Sequence, residues 1–65
     1  MYGKILKEMR LEKNLTQTQL AQQLGTSLKS LSRYELEEID LSTDMIQRIC
    51  KFFDVSADYL LGITK

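Results

Sequence analysis

Residues 16–35, TQTQLAQQLGTSLKSLSRYE, carry two helical patterns so close together that only a tight turn can join them. Thr16 and Gln19 form a capping-box pair, in which the hydroxyl and the amide each satisfy a backbone N–H that a first helical turn leaves free. Leu15 and Leu20 flank that pair at the spacing of a hydrophobic staple, so the helix is expected to start at Thr16. Leu20, Ala21 and Leu24 make its apolar stripe. Gly25 stands where a helix commonly ends on a left-handed residue, a conformation that costs glycine nothing because it has no Cβ. Ser27 then caps a second helix.

At about 100° per residue, Ser30, Leu31 and Tyr34 fall on one side of that second helix, and Leu28, Lys29, Ser32 and Arg33 on the other. One face packs inward and the other is offered to a partner. A helix-turn-helix whose second helix displays hydrogen-bonding side chains is the architecture that enters the DNA major groove. The same pattern also fits a helical hairpin inside any small bundle.

The flanking residues supply three more helices. Tyr2, Ile5, Leu6 and Met9 recur at helical spacing and predict a helix over about Tyr2 to Lys13, with Asn14 as a left-handed stop. Lys4 and Lys7, on the outside of that helix, can reach a phosphate or serve only solubility. Leu41, Ser42 and Ile46 repeat the staple and cap, and Ile46, Ile49, Cys50 and Phe53 form the stripe of a fourth helix from about Thr43 to Phe53. Val55, Ser56 and Leu60 do so again for a fifth, Ala57 to Leu61, closed by Gly62. Between helices three and four, LEEIDL has neither Gly nor Pro, so the third helix is expected to end indistinctly. Its acids, with Asp44, lack the glycine and alternating oxygens of a calcium loop and read as a solvated acidic segment.

Sixty-five residues make one domain, 1–65, with the motif at 16–35; a chain this short leaves no room for a separate catalytic cleft. It contains no His and a single Cys, so neither a usual zinc site nor a histidine-based triad can be assembled, and Cys50 reads as a small buried hydrophobe. Asp54 and Asp58 form a carboxylate pair, but no apolar enclosure is expected to raise a pKa there. A non-enzyme without a metal, cofactor or small-molecule substrate is expected. No secretory signal or apolar run of membrane-spanning length is present in the sequence, so a cytoplasmic location is expected. The formal net charge of zero does not suit a nucleic-acid binder until its distribution is considered. Residues 1–34 hold six bases and two acids, a net +4, and residues 35–65 hold three bases and seven acids, a net −4. The basic half contains the motif, although mixed charge on a solvated surface has the same appearance.

With these five helices laid out, the chain resembles the phage-repressor (Cro-type, lambda-repressor-like) helix-turn-helix family of prokaryotic transcription regulators. LTQTQLAQQLG, the Ser27 to Glu35 run, and FFDVSADYLLG from Phe52 to Gly62 stand in the order and spacing of that family. The resemblance implies a compact, all-α, five-helix DNA-binding domain. It implies that Gln17 meets the DNA backbone, where Thr16 beside it and Lys4 and Lys7 on the first helix are expected to join it. It further implies that Ser27, Leu28, Lys29, Ser32 and Arg33 face the bases, and that Arg10 and Glu35 form an ion pair beneath the third helix. The family usually carries a Gly near position 37, where this chain has Glu37 and then Glu38, Ile39 and Asp40. Acids beside the DNA backbone would weaken phosphate contact unless the loop points away.

Two functions of different class are therefore expected. One is a sequence-specific regulator that binds double-stranded DNA as a homodimer. The other is an antitoxin-like or anti-repressor module whose acidic half grips a basic protein, with DNA contact secondary or lost. Ile39, Leu41 and Ile63 have no clear place in the intramolecular stripes and are expected to face a second subunit.

Overall fold

The computed structural model describes residues 2–62. It contains α1 Tyr2–Glu12, α2 Gln17–Leu24, α3 Leu28–Glu35, α4 Thr43–Phe53 and α5 Ala57–Leu61, with no strand among the described residues. Four of the five helices begin on a hydroxyl cap. Thr16, Ser27, Ser42 and Ser56 are extended, and each side chain accepts the backbone N–H three residues on, at 3.0–3.1 Å. Thr16 also donates its own N–H to Gln19 Oε1 at 2.9 Å, which completes the capping box. Thr16 is thus the cap of α2 and Gln17 its first helical residue, and α1 stops at Glu12, one residue before Lys13.

Left-handed residues end the helices. Gly25 has φ 69°, and the following N–H groups return to α2, Gly25 to Gln22 O at 3.3 Å and Thr26 to Ala21 O at 2.9 Å. Asn14 does the same after α1 with φ 57°. The indistinct end expected for α3 is replaced by a sharp one: Glu37 itself is left-handed, with φ 58°. Glu37 N–H bonds Tyr34 O at 3.1 Å and Glu38 N–H bonds Arg33 O at 2.9 Å, a glycine-type stop built on a glutamate. A side chain in this conformation costs about 1–2 kcal/mol, and here the Glu37 carboxylate offsets part of it. It accepts the Gly3 N–H at 3.2 Å, in the first turn of α1, where unsatisfied N–H groups favour negative charge. The acid at position 37 is therefore engaged with α1.

The core takes residues from all five helices: Leu6 and Met9, Leu20, Ala21 and Leu24, Leu31, Met45 and Ile49, and Leu60. α3 packs on α2 and α1, α4 packs on α2, and α5 closes the bundle against α1 and α4. Leu15, Leu41 and Val55, each one residue before a cap, pack against this core from the loops. That corrects the subunit-facing assignment of Leu41, because its staple role before α4 turns it inward. Ile39 is partly buried and its carbonyl accepts the Tyr2 hydroxyl at 2.6 Å, while Ile63 lies outside the described residues. Among the described residues, the large apolar side chains that remain exposed are Leu11, Leu28, Leu36 and Tyr59. No described helix is long and apolar enough to cross a membrane.

Candidate nucleic-acid interface

The orientation of α3 follows from which of its residues the bundle can bury. Leu31 is fully buried and Tyr34 packs at the edge of the core. Opposite them, Leu28, Ser32, Lys29 and Arg33 cover a continuous arc of roughly 140° at the helical pitch. Leu28, Lys29 and Arg33 are exposed, whereas Ser32, between Leu28 and Lys29 in the arc, is half-buried. Ser27 is exposed at the start of the helix; besides capping it, its Oγ lies 3.0 Å from Ser30 Oγ. An exposed leucine at the head of a polar row has no packing reason within the domain.

Beneath this row lies a buried charge cluster. Arg10 Nε donates to Glu35 Oε2 at 2.7 Å and Nη2 donates to Oε1 at 3.2 Å, a two-pronged contact that suits the planar guanidinium. The third prong, Nη1, donates to the Leu15 carbonyl at 2.8 Å. Glu35 Oε1 also accepts from Gln17 Nε2 at 3.0 Å. The end of α1, the turn into α2, the first residue of α2 and the last residue of α3 thus meet at one ion pair, Leu15 on its guanidinium and Gln17 on its carboxylate. With only 3% of the Glu35 side chain and 10% of the Arg10 side chain exposed, solvent screens the pair little. The cluster fixes the distance between the first turn of α2 and the outer row of α3.

Gln17 is consequently not a loose side chain reaching outward. One amide hydrogen is committed to Glu35, which leaves the second hydrogen of Nε2 and the backbone N–H groups of Gln17 and Thr18 for an external acceptor, the Gln19 N–H being taken by the Thr16 cap. Thr16 is exposed beside it. On α1, Arg10 reaches the end of α3 and Gly3 abuts it; farther round the helix on that side lie Lys7 and Lys4, both exposed, with the exposed Leu11 between them. Arg33 is less free than its exposure implies, because Glu38 Oε1 stands 3.7 Å from its Nε.

Three contacts escape sequence reasoning. Gly3 is buried and touches the end of α3; a glycine within a helical pattern is the signal that could have revealed this close approach. The Tyr2 hydroxyl ties the α3–α4 loop to α1. Arg48 donates from Nη1 to Leu24 O at 3.0 Å, satisfying the end of α2, while its Nε lies 2.9 Å from Asp44. Cys50 is half-buried against the core and burial pushes its thiol up, which leaves little thiolate near neutral pH. Among the described residues no group of His, Cys, Asp and Glu is arranged to hold a metal ion.

A helix-turn-helix family model matches residues 6–60. The chain belongs to the helix-turn-helix family. Its relatives include Antitoxin PezA of Streptococcus pneumoniae serotype 4, 42% identical over 65 residues that are all of this chain and 41% of PezA. HTH-type transcriptional regulator ImmR of Bacillus subtilis is 40% identical over 60 residues, which are 92% of this chain and 47% of ImmR. The chain spans about half the length of the curated relatives it matches. Its fold is that of the P22 c2 repressor, solved in complex with synthetic operator 9T: the TM-score is 0.90 at 23% identity, over 98% of this chain and 97% of that one. In this helix-turn-helix chain the two helices of the motif are α2 and α3, within the all-α, lambda-repressor-like fold.

Proposed function

We propose that the chain is the DNA-binding domain of a transcription regulator, not an enzyme, and that it reads double-stranded DNA with α3 in the major groove. The observation that carries this reading is the exposed row Leu28, Lys29 and Arg33, held at a fixed distance from Gln17 by the buried Arg10–Glu35 pair. Support comes from the P22 c2 repressor, which has the same fold and was solved on an operator. Gln17, the N–H groups beside Thr16, and Lys4 and Lys7 meet phosphates, contacts that position the domain without reading sequence. Arg33 donates two bonds to O6 and N7 of guanine, Lys29 favours guanine less strictly, and Leu28 meets a thymine methyl. Ser27 at the head of the helix and Ser32 between Leu28 and Lys29 hydrogen-bond to the bases.

Competition binding against single-base variants of a selected site tests these roles. Arg33→Ala is expected to cost about 1–3 kcal/mol at the preferred site and to relax one base position. Gln17→Ala is expected to weaken all variants alike. If Arg33→Ala also weakens every variant by one factor, Arg33 is a phosphate contact and not a reader. A steep fall of affinity with salt is expected on random DNA, and absence of binding at low salt would favour the antitoxin-like, protein-binding reading instead.

The same reading makes the DNA-bound form a homodimer, with each α3 in a half-site about 34 Å from the other. Sedimentation with a selected duplex is expected to give two chains per duplex. A single chain per duplex at saturating protein would eliminate the dimer.

A further inference from the structure

We propose that the cleft between the second half of α1 and the corner of α4 and α5 is a docking site for a basic amphipathic helix of a partner protein. Two of the large apolar side chains left exposed among the described residues, Leu11 and Tyr59, stand together here. Tyr59 and Glu12 are shared by two adjoining hollows. One runs over Glu8 and Leu11, and the other, an open cleft of about 420 Å³, is lined by Met9, Phe53 and Val55. A single exposed leucine is ordinary, but apolar side chains gathered along a cleft are the form in which a protein surface receives the apolar face of a helix.

The rim decides the chemistry of the occupant. Glu8 and Glu12 are exposed one turn apart on α1, and neither has an ion-pair partner among the described residues. Like charges at that spacing weaken a helix, and nothing in the bundle compensates them. Asp54 and Asp58, both exposed, immediately precede Val55 and Tyr59 on the other side. Lys13 also lines the cleft, but its ammonium lies over the Phe52 ring, 5.8 Å from the centre. A second copy does not fit, because a two-fold contact on this face sets the acids of one chain against those of the other. A helix with apolar residues on one face and Lys or Arg beside them matches both floor and rim. Glu8 and Glu12 each lie about 160° round α1 from Arg10, which reaches the end of α3, so the cleft stays open while α3 is occupied. Docking here adds to the DNA-binding reading and does not depend on it.

Three labelled peptides of about four helical turns test the site by fluorescence anisotropy against the full chain without DNA. The first carries leucine at i, i+3, i+4 and i+7 with lysine elsewhere, the second has glutamate for lysine, and the third has serine for leucine. The lysine–leucine peptide is expected to bind saturably, to weaken with salt, and to shift the backbone amide resonances of Leu11 and Tyr59 but not those of Lys29 and Arg33. Each of the other two is expected to bind at least about tenfold more weakly. Glu8→Lys with Glu12→Lys is expected to weaken the lysine–leucine peptide about tenfold and to strengthen the glutamate–leucine peptide, with a melting curve within a few degrees of the parent's. Leu11→Ser, at an exposed position, is expected to weaken the lysine–leucine peptide without the charge swap. No saturable binding, equal binding of the serine peptide, shifts confined to α3, or an affinity indifferent to the charge reversal would each overturn the site. So would concentration-dependent shifts of Leu11 and Tyr59 in the chain alone, which would make a second copy the occupant. No duplex enters the assay, so the DNA-binding reading stands or falls separately.

Discussion

Glu35→Ala is expected to destabilise the domain by about 3 kcal/mol, because it leaves the Arg10 guanidinium buried without a counter-charge. Arg10 is 8% exposed, so water cannot replace the two bonds it would lose. Gln17 would lose its acceptor in the same step. Against a total stability of roughly 3–10 kcal/mol for a chain of this length, the loss is a third or more of the whole. In a thermal melt it corresponds to a fall in Tm of roughly 12–24 °C. Glu35→Gln keeps the volume and one acceptor, so its melting curve is expected to lie between the two. A Glu35→Ala melt within a few degrees of the parent would mean that the pair is as weakly coupled as one exposed to solvent, where under about 1 kcal/mol is at stake.

Gly3→Ala is the second large effect, and its sign opposes intrinsic propensity. Alanine in place of glycine within a helix normally stabilises by up to about 1 kcal/mol. Here an added Cβ would collide with the Glu35 carbonyl, lie 3.0 Å from the Glu35 carbonyl carbon and 2.7 Å from Glu37 Cγ. The carbonyl is backbone at the end of a packed helix. Glu37 cannot swing aside without giving up its bond to Gly3 N–H. Forcing the methyl group in is therefore expected to cost about 2 kcal/mol net, read as a loss of denaturation midpoint in urea with an unchanged m-value. Lys7→Ala, exposed on the same helix, is expected to stay within about 0.5 kcal/mol of the parent. A more stable Gly3→Ala variant would show that α1 and α3 have room between them.

Both variants act on the same segment. Residues 35–37 end α3, anchor α1 and carry the carboxylate that orients Gln17, so a shift there moves the outer row of α3 relative to α2. A loss of DNA affinity is expected to accompany the loss of stability in each.

Local patterns determined where the helices lie. A hydroxyl cap, flanked at Thr16, Ser42 and Ser56 by an apolar residue on each side, and a glycine or asparagine stop act within a few residues, so Thr16, Ser27, Ser42 and Ser56 locate four helix starts without knowledge of the bundle. The apolar stripes likewise identify Leu31 as inward and Lys29 and Arg33 as outward, because helical spacing alone separates the two faces. The resemblance named Arg10 with Glu35, but residues 25 apart carry no local signal of contact. Their burial, the third prong to Leu15 and the recruitment of Gln17 arise only when α1, α2 and α3 are packed. Tertiary structure also decided the fate of the acidic stretch after α3. Glutamate has little intrinsic preference for a left-handed stop, and Glu37 adopts one where its carboxylate can meet the start of α1, a partner 34 residues away. Leu41, placed by the staple pattern before α4, is partly buried against the core, and what it packs on is set by elements that its neighbours in sequence do not contain.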